Sequence, residues 1–116
     1  MFDGITVLMP VYNGEAYLKE AINSILNQSF KNFEFLIIDD GSTDQSIDII
    51  NSYKDTRIKL VKNETNKGIT QTLNIGIALA QYELIARMDA DDVCLPMRLQ
   101  KHFDYFLANP KIGLLA

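Results

Sequence analysis

Residues 33–44 read FEFLIIDDGSTD, and this stretch decides the fold that we predict for the chain. Its first half, 33–38, is an almost continuous apolar run of a length typical of a strand buried on both faces. Its second half, 39–44, holds the Asp, Gly, Ser and Thr residues that are typical of a turn leading into a helix. The stretch therefore predicts a buried strand, an acidic turn and the start of a helix.

The same unit recurs on both sides of this stretch. Apolar runs at 5–9, 58–61 and 84–86 predict three further strands, and 112–116 predicts the start of a fifth. Between them, apolar residues recur every three or four positions and predict helices, which we assign to Tyr17, Leu18, Ala21, Ile22, Ile25 and Leu26; Ile47, Ile50 and Tyr53; Ile69, Leu73, Ile77 and Ala80; and Leu99, Phe103, Phe106 and Leu107.

Three polar or proline positions are predicted to mark helix ends. Asn13 should cap the first helix, Pro96 should lie in the first turn of the last one, and Asn109-Pro110 should end it. The strict alternation of strand and helix predicts an α/β fold, with a parallel or mostly parallel sheet covered by helices on both faces. In such sheets ligands bind beyond the carboxyl ends of the strands.

Composition limits the classes of function. The 116 residues suffice for one domain, and 47% hydrophobic and 22% charged residues are typical of a folded soluble chain. The net charge is -4 and the basic residues are scattered, which argues against a nucleic-acid partner. No apolar run approaches the roughly 18 residues of a membrane span and the first residues lack the layout of a secretory signal, so we predict no transmembrane segment and a cytoplasmic location. We expect Cys94 to be buried and His102 to be a surface or half-buried side chain.

Three unusual segments, 10–13, 39–42 and 89–92, each follow a predicted strand and should converge at one sheet edge. The last, Asp-Ala-Asp-Asp, packs three carboxylates into four residues, and two such charges 4 Å apart repel by roughly 4 kcal/mol. A cation should offset this repulsion. Either Arg87 and Arg98 supply it, or the acids hold Mg²⁺ or Mn²⁺ together with the phosphates of a substrate.

The other candidates also have two interpretations. The 39–42 segment is either a turn with a cap or a source of carboxylates for a ligand's ring N–H and ribose hydroxyls. The Tyr12 ring either lies against a nucleobase or packs half-buried. Lys67 either reaches a diphosphate or is a solvated charge.

Taken together, the motifs resemble those of the family 2 glycosyltransferases of the GT-A fold over essentially the whole chain. The resemblance rests on VLMPVYN at 7–13, IIDDGSTD at 37–44, NKG at 66–68 with Asn74, and ARMDADD at 86–92 with Leu95-Pro96 and Arg98-Leu99. It implies a Rossmann-like GT-A fold and a nucleoside-diphosphate sugar donor, with a UDP-sugar the foremost candidate.

The resemblance also implies roles for individual residues. Pro10, Val11 and Tyr12 would surround the base and Asp40 would bind its edge. Asp89 would contact the ribose or the metal, Ala90 would lie beside the sugar nucleotide, and Asp91 would coordinate the metal, Mg²⁺ or Mn²⁺.

The same resemblance implies sugar transfer to an acceptor hydroxyl with inversion, as in polysaccharide biosynthesis. The general base of the family would lie beyond residue 116, and neither Glu15 nor Asp92 matches its position. Residues 1–116 would then be the N-terminal, donor-binding part of a truncated domain without its acceptor half, able to bind donor but to turn over little. Glycan, lipid-linked and protein acceptors remain open, as do a dimer through the edge at 112–116 and peripheral attachment of the full protein to the inner membrane face.

Other classes of protein are less consistent with the motifs. The first strand-helix turn has only Gly14 where a dinucleotide-binding fold needs three glycines, and no P-loop lysine motif is present. An Mg²⁺-dependent receiver or phosphatase domain would form an acyl phosphate on an aspartate. The alternative within the same fold is a non-catalytic module that binds nucleotide or metal, or that serves only as a scaffold. A module that is only a scaffold would show no metal-dependent stabilisation by UDP.

Overall fold

The fold is a parallel sheet with helices on both faces. The computed structural model describes residues 3–108 and the backbone of 114–115. The strands are β1 (Ile5–Val11), β2 (Phe33–Asp39), β3 (Ile58–Lys62), β4 (Leu84–Arg87) and β5 (Leu114–Leu115). The helices are α1 (Leu18–Leu26), α2 (Ser46–Asn51), α3 (Ile69–Leu79) and α4 (Arg98–Ala108). All pairings are parallel and the strand order is β3-β2-β1-β4-β5, which confirms the predicted α/β fold and parallel sheet.

The strand register brings the polar segments together. β1 is the central strand and pairs with β2 on one side and β4 on the other. Val11 lies opposite Asp39 of β2, and Leu8 lies opposite Arg87 of β4. Because the strands are parallel, the segments that follow β1, β2 and β4 all leave from the same edge of the sheet, as predicted.

Successive residues of the central strands point to opposite faces, and each face has its own apolar core. On one face, Val7, Met9 and Phe35 pack with α1 and α4. On the other face, Leu8 and Leu36 pack against α3. Apart from the partly buried Pro10, all residues of β1 and β2 are buried, which explains why their sequences are almost continuously apolar.

The face of α3 that packs on the sheet agrees with the prediction in part: Leu73 and Ala80 pack against the core of Leu8 and Leu36 as predicted. Ile69 and Ile77 are 51% and 45% exposed, whereas Thr72 and Gly76 are buried. A Cβ on Gly76 would clash with the buried side chain of Leu8, so any larger residue would force Leu8 to move. The apolar spacing predicted that Ile69 and Ile77 face the sheet. The close approach of α3 to β1 instead places the smaller Thr72 and Gly76 there.

Several predicted helix ends are wrong. Asn13 does not cap α1: the residue before the helix is Tyr17, which makes no side-chain cap and is 60% exposed. Tyr53 lies beyond the end of α2, and Pro96 lies two residues before α4 begins at Arg98. Beside each of these helix ends the backbone forms a single tighter turn, in which the N–H groups of Tyr17, Tyr53 and Arg98 donate to the carbonyls three residues earlier.

The last helix and strand agree with the sequence in part. Leu99 and Phe106 of α4 are buried as predicted and Phe103 packs against the same core, but Leu107 is 51% exposed. Backbone pairing at Leu114–Leu115 confirms a fifth strand beside β4. The predicted helix stop at 109–110 and the other residues of the 112–116 prediction lie outside the described residues. Among residues 3–108, no helix is both long enough and apolar enough to cross a bilayer.

A buried polar network ties the sheet together at the edge opposite the polar segments. Thr6 is fully buried and donates to Oε2 of Glu34 over 2.7 Å. The same oxygen accepts from the N–H of Gln81 over 2.8 Å, and Lys59 lies 3.0 Å from Oε1. Burial raises the pKa of Glu34, but these hydrogen bonds and the charge of Lys59 outweigh it and lower the pKa overall.

We expect Glu34→Gln to lower the thermal midpoint at neutral pH by several degrees, because a hydrogen bond to a buried charge is worth about 1.5–3 kcal/mol. Since folding lowers the pKa of Glu34, its contribution is complete above about pH 5 and is lost as the pH falls further. The variant should therefore also show a smaller fall of the midpoint between pH 5 and pH 3. Glu20→Gln, on the exposed side of α1, is the control. Equal midpoints and equal acid sensitivity for Glu34→Gln and wild type would contradict the prediction.

Candidate functional site

The loops after β1 and β2 are fastened to each other by side chains. The N–H of Asn13 donates to Oγ of Ser42, and the N–H of Gly14 donates to Oγ of Ser46, both over 2.9 Å. In return, the N–H of Thr43 donates to Oδ1 of Asn13 over 2.8 Å. Asn13 therefore joins two loops instead of capping α1. Its backbone has a left-handed φ of 49°.

Gly41 allows the second loop to touch a third one. Its φ is +79°, and a Cβ at this position would lie 2.9 Å from the backbone N of Asn66. A side chain is therefore excluded both by the backbone conformation and by the neighbouring loop. The turn predicted at 39–42 is present, and its glycine brings residues 65–66 against the end of β2.

Asp40 holds this third loop by its carboxylate. The side chain is 5% exposed; Oδ1 accepts from Nδ2 of Asn63 and the N–H of Lys67 over 2.9 and 2.8 Å. Oδ2 accepts from the N–H of Gly68 over 3.1 Å. Burial raises the pKa of Asp40, but the hydrogen bonds from Lys67, Asn63 and Gly68 outweigh this effect, so the pKa lies below its usual value. The sequence did not point to Asn63, because a single Asn after a strand carries no distinctive pattern.

A cavity of about 250 Å³ opens where these loops meet. It is lined by Pro10, Val11, Tyr12, Asp40, Asn66, Gly68, Ile69 and Thr72. The sequence predicted Pro10, Val11, Tyr12 and Asp40 for one site, and the structure does bring them together. Because the sequence predicts that these residues surround a nucleobase, we call this the base cavity.

A second cavity of about 280 Å³ adjoins the first and leads to the acidic segment. Its lining consists of Pro10, Tyr12, Asn13, Gly14, Tyr17, Ala90 and Asp91. Pro10 and Tyr12 belong to both cavities. Because Tyr12 is 53% exposed, its ring stands in the open between them rather than packing in the core.

The acidic segment gathers three carboxylates. Oxygen atoms of Asp89, Asp91 and Asp92 all lie within 4.8 Å of one another. Arg87 pairs with Oδ1 of Asp89 over 3.1 Å, so this arginine offsets part of the repulsion. Arg98 contacts the sulfur of Met88 and the carbonyl of Arg87, not a carboxylate. Of the two predicted arginine counter-charges, only Arg87 is therefore in place.

The chemistry of this donor set suits a hard divalent cation. Among residues 3–108, no Lys, Arg or His lies within ion-pair distance of Asp91 or Asp92. Carboxylate oxygens are the ligands that Mg²⁺ and Mn²⁺ prefer, and one or two of them are enough when a substrate supplies phosphates. Asp91 also lines the second cavity, which places this ligand set next to Tyr12.

Lys67 takes part in the site through its backbone. Its N–H donates to Asp40, while its side chain is exposed. Cys94 and His102 have the burial that the sequence predicted: Cys94 is 3% exposed, and His102 is half-buried.

The parallel sheet with helices on both faces, and with two cavities and three carboxylates at the carboxyl ends of its strands, has the Rossmann-like architecture of the GT-A fold. The particular family follows from sequence comparison: the model of glycosyl transferase family 2 matches residues 6–116. The chain belongs to this family.

Individual relatives agree with this assignment. An uncharacterised glycosyltransferase of Haemophilus influenzae is 47% identical over 107 residues, which are 90% of this chain and 43% of that protein. The crystal structure of S. aureus TarS 1-349 in complex with UDP-GlcNAc has a TM-score of 0.86 and 30% identity, over 91% of this chain and 32% of that one.

A mannosyltransferase from Pyrobaculum calidifontis, solved in complex with GDP-Man and Mn²⁺, has a TM-score of 0.71 at 25% identity, over 77% of this chain and 28% of that one. The chain thus spans less than half the length of these three proteins.

Proposed function

We propose that the chain is the donor-binding part of a glycosyltransferase that moves a sugar from a nucleoside diphosphate to an acceptor hydroxyl. One observation carries the proposal: Pro10 and Tyr12 form a common wall between the base cavity and the cavity that reaches Asp91. A nucleotide whose base occupies the first cavity would extend its diphosphate towards the carboxylates. The family membership of the chain agrees with this chemistry.

The base is expected to lie between Pro10, Val11 and the ring of Tyr12. Stacking on an aromatic ring is worth on the order of 1–3 kcal/mol per base. Asp40 lines the base cavity, where its carboxylate would accept an N–H at the base edge. The exposed Lys67 and the backbone near Ala90 would then approach the diphosphate and the sugar.

Asp91 and Asp89 would hold the cation, and Asp89 has its Oδ2 free of the contact with Arg87. When bound, Mg²⁺ or Mn²⁺ stabilises the negative charge that develops on the departing diphosphate. The chain's own task is to orient the donor so that the acceptor hydroxyl can attack in line, with inversion at the anomeric carbon.

We propose that the general base lies beyond residue 116, so that the chain alone binds donor but turns over little. The spare acid Glu15 accepts a backbone N–H from Gln45 over 3.2 Å, which is a structural contact between loops. Asp92 remains unassigned.

The partners follow from the same proposal. The structural relative with 30% identity carries UDP-GlcNAc and the one with 25% identity carries GDP-Man, which favours a UDP-sugar. The acceptor stays a prediction, whether it is a glycan, a lipid-linked glycan or a protein. So do a dimer through the β5 edge, a cytoplasmic location and attachment to the inner membrane face. The Arg87–Asp89 ion pair is the observation that favours the alternative, a non-catalytic module whose acids need no cation.

We expect UDP with Mn²⁺ to raise the thermal midpoint of the chain by several degrees, and more than GDP or dTDP with Mn²⁺. A ligand at 100 times its dissociation constant stabilises the folded state by about 2.7 kcal/mol. Thermal unfolding with each nucleotide, in Mn²⁺ and in EDTA, measures this directly. UDP in EDTA should give a smaller shift, because only the base cavity then contributes.

The control for this experiment is Mn²⁺ alone, which separates binding of the metal from binding of the nucleotide complex. A midpoint that no nucleotide raises, with or without metal, would contradict the donor proposal and favour the scaffold module. A shift by nucleotide that Mn²⁺ does not increase would retain the base cavity and reject the metal.

A further inference from the structure

The backbone that follows the acidic segment has no regular secondary structure. Residues 93–97 lie between the acids and α4 and belong to neither a helix nor a strand. Their N–H and C=O groups cannot pair within a ladder, so buried ones need partners from elsewhere. In this structure those partners come from the carboxyl end of α1.

Gln28 is the centre of this contact. It is fully buried, and its Nε2 donates to the carbonyl of Leu95 over 2.7 Å and to the carbonyl of Ser24 over 3.1 Å. Its Oε1 accepts from the N–H of Leu99 over 3.1 Å. One side chain thereby joins the end of α1, the irregular segment and the first turn of α4.

Two neighbours of Gln28 add to the attachment. Oγ of Ser24 accepts from the N–H of Cys94 over 2.9 Å, and the N–H of Ser29 donates to the carbonyl of Pro96 over 2.9 Å. The segment after the acids is therefore held by hydrogen bonds at 94, 95, 96 and 99. We call residues 24–29 with these bonds the α1 clamp.

The acidic segment is fixed at both ends. On its leading side, Met88 is buried and its N–H donates to the carbonyl of Leu8 over 2.9 Å. On its trailing side, Cys94 is buried and bonded to the α1 clamp. Between these anchors, Asp91 and Asp92 are exposed. The backbone that aims the carboxylates is thus determined by β1 on one side and by the α1 clamp on the other.

From this geometry we infer that Gln28 is a positioning residue of the metal-dependent donor site. It acts through the 94–99 backbone and touches neither nucleotide nor cation. The inference rests on the proposed function. It predicts that losing the clamp loosens the carboxylates, while the base cavity, formed by other loops, keeps its shape.

Titration calorimetry of UDP in Mn²⁺ and in EDTA tests the inference on the full chain. Gln28→Met retains the length of the side chain and removes its hydrogen bonds. We expect the gain in UDP affinity that Mn²⁺ provides to fall by about tenfold, as is common when groups behind metal ligands are lost. The dissociation constant of UDP in EDTA should stay within about twofold of wild type, because other loops form the base cavity. A merely structural role of Gln28 would leave the gain from Mn²⁺ unchanged.

Thr6→Val is the matched control, because it removes hydrogen bonds from an equally buried network at the opposite edge of the sheet. It should lower the thermal midpoint without changing the Mn²⁺-dependent gain. If Gln28→Met does not fold, Ser24→Ala takes its place and should reduce the same gain. An unchanged gain in the clamp variant, or an equal loss in Thr6→Val, would overturn the inference. A wild-type affinity that is indifferent to Mn²⁺ would instead reject the metal-dependent function on which the inference depends.

Discussion

Asp40→Ala should unfold at a markedly lower temperature than wild type and should no longer bind UDP. Removing this carboxylate takes away the acceptor of the buried amide of Asn63 and of the part-buried N–H groups of Lys67 and Gly68. Each stranded buried donor costs about 1–3 kcal/mol, and the total stability of such a domain is only about 5–15 kcal/mol. We therefore expect a loss of at least about 3 kcal/mol, and a fall of the midpoint on the order of 10 °C.

Asp48→Ala is the matched control, because Asp48 lies on the exposed side of α2. It should change the midpoint little and leave UDP binding intact. Asp40→Asn should be intermediate, since an amide oxygen can replace Oδ1 but the amide N–H₂ opposes the N–H of Gly68. Thermal unfolding gives the first quantity and calorimetry the second. A stable Asp40→Ala chain would mean that this carboxylate does not hold the 66–68 loop.

The fold could be predicted from the sequence because strands that are buried on both faces have a simple apolar pattern. β1 and β2 are covered on both faces, so their residues are almost all apolar and the strands are easy to recognise. The order of strands and helices then requires parallel connections, which fixes the edge at which 10–13, 39–42 and 89–92 meet. The position of the candidate site followed from topology, before any contact was known.

The contacts within the site could not be predicted in the same way. The sequence assigned Asp40 to a ligand, whereas in the structure most of its hydrogen bonds go to the 63–68 loop. The role of Gln28 has no sequence signature, because polar residues near helix ends are common and its partners lie about 70 positions away. Side-chain to backbone bonds between distant loops leave no periodic pattern. Such roles therefore become visible only when the loops are placed in three dimensions.

Asp91→Ala should remove the metal-dependent part of UDP binding while the chain stays folded. Asp91 is exposed and lines the cavity beside Tyr12, and it has no cationic partner among residues 3–108. Its loss therefore leaves no buried group unpaired and relieves repulsion among the three acids, so the midpoint without ligand should not fall. We expect the UDP affinity in Mn²⁺ to drop about a hundredfold, or about 2.7 kcal/mol, and the affinity in EDTA to remain unchanged.

Asp40 and Asp91 are contrasting cases, since the first carboxylate holds a loop of the fold and the second, under the proposed function, would serve only the cation. Asp91→Asn should behave like Asp91→Ala, because an amide of the same shape lacks the charge that holds a divalent cation. The control is Asp104→Ala, which removes a carboxylate on the exposed side of α4 and should leave the Mn²⁺ effect intact. If Asp91→Ala bound UDP in Mn²⁺ as tightly as wild type, the cation would have to sit elsewhere. In that case the Arg87–Asp89 ion pair alone would offset the repulsion among the three acids.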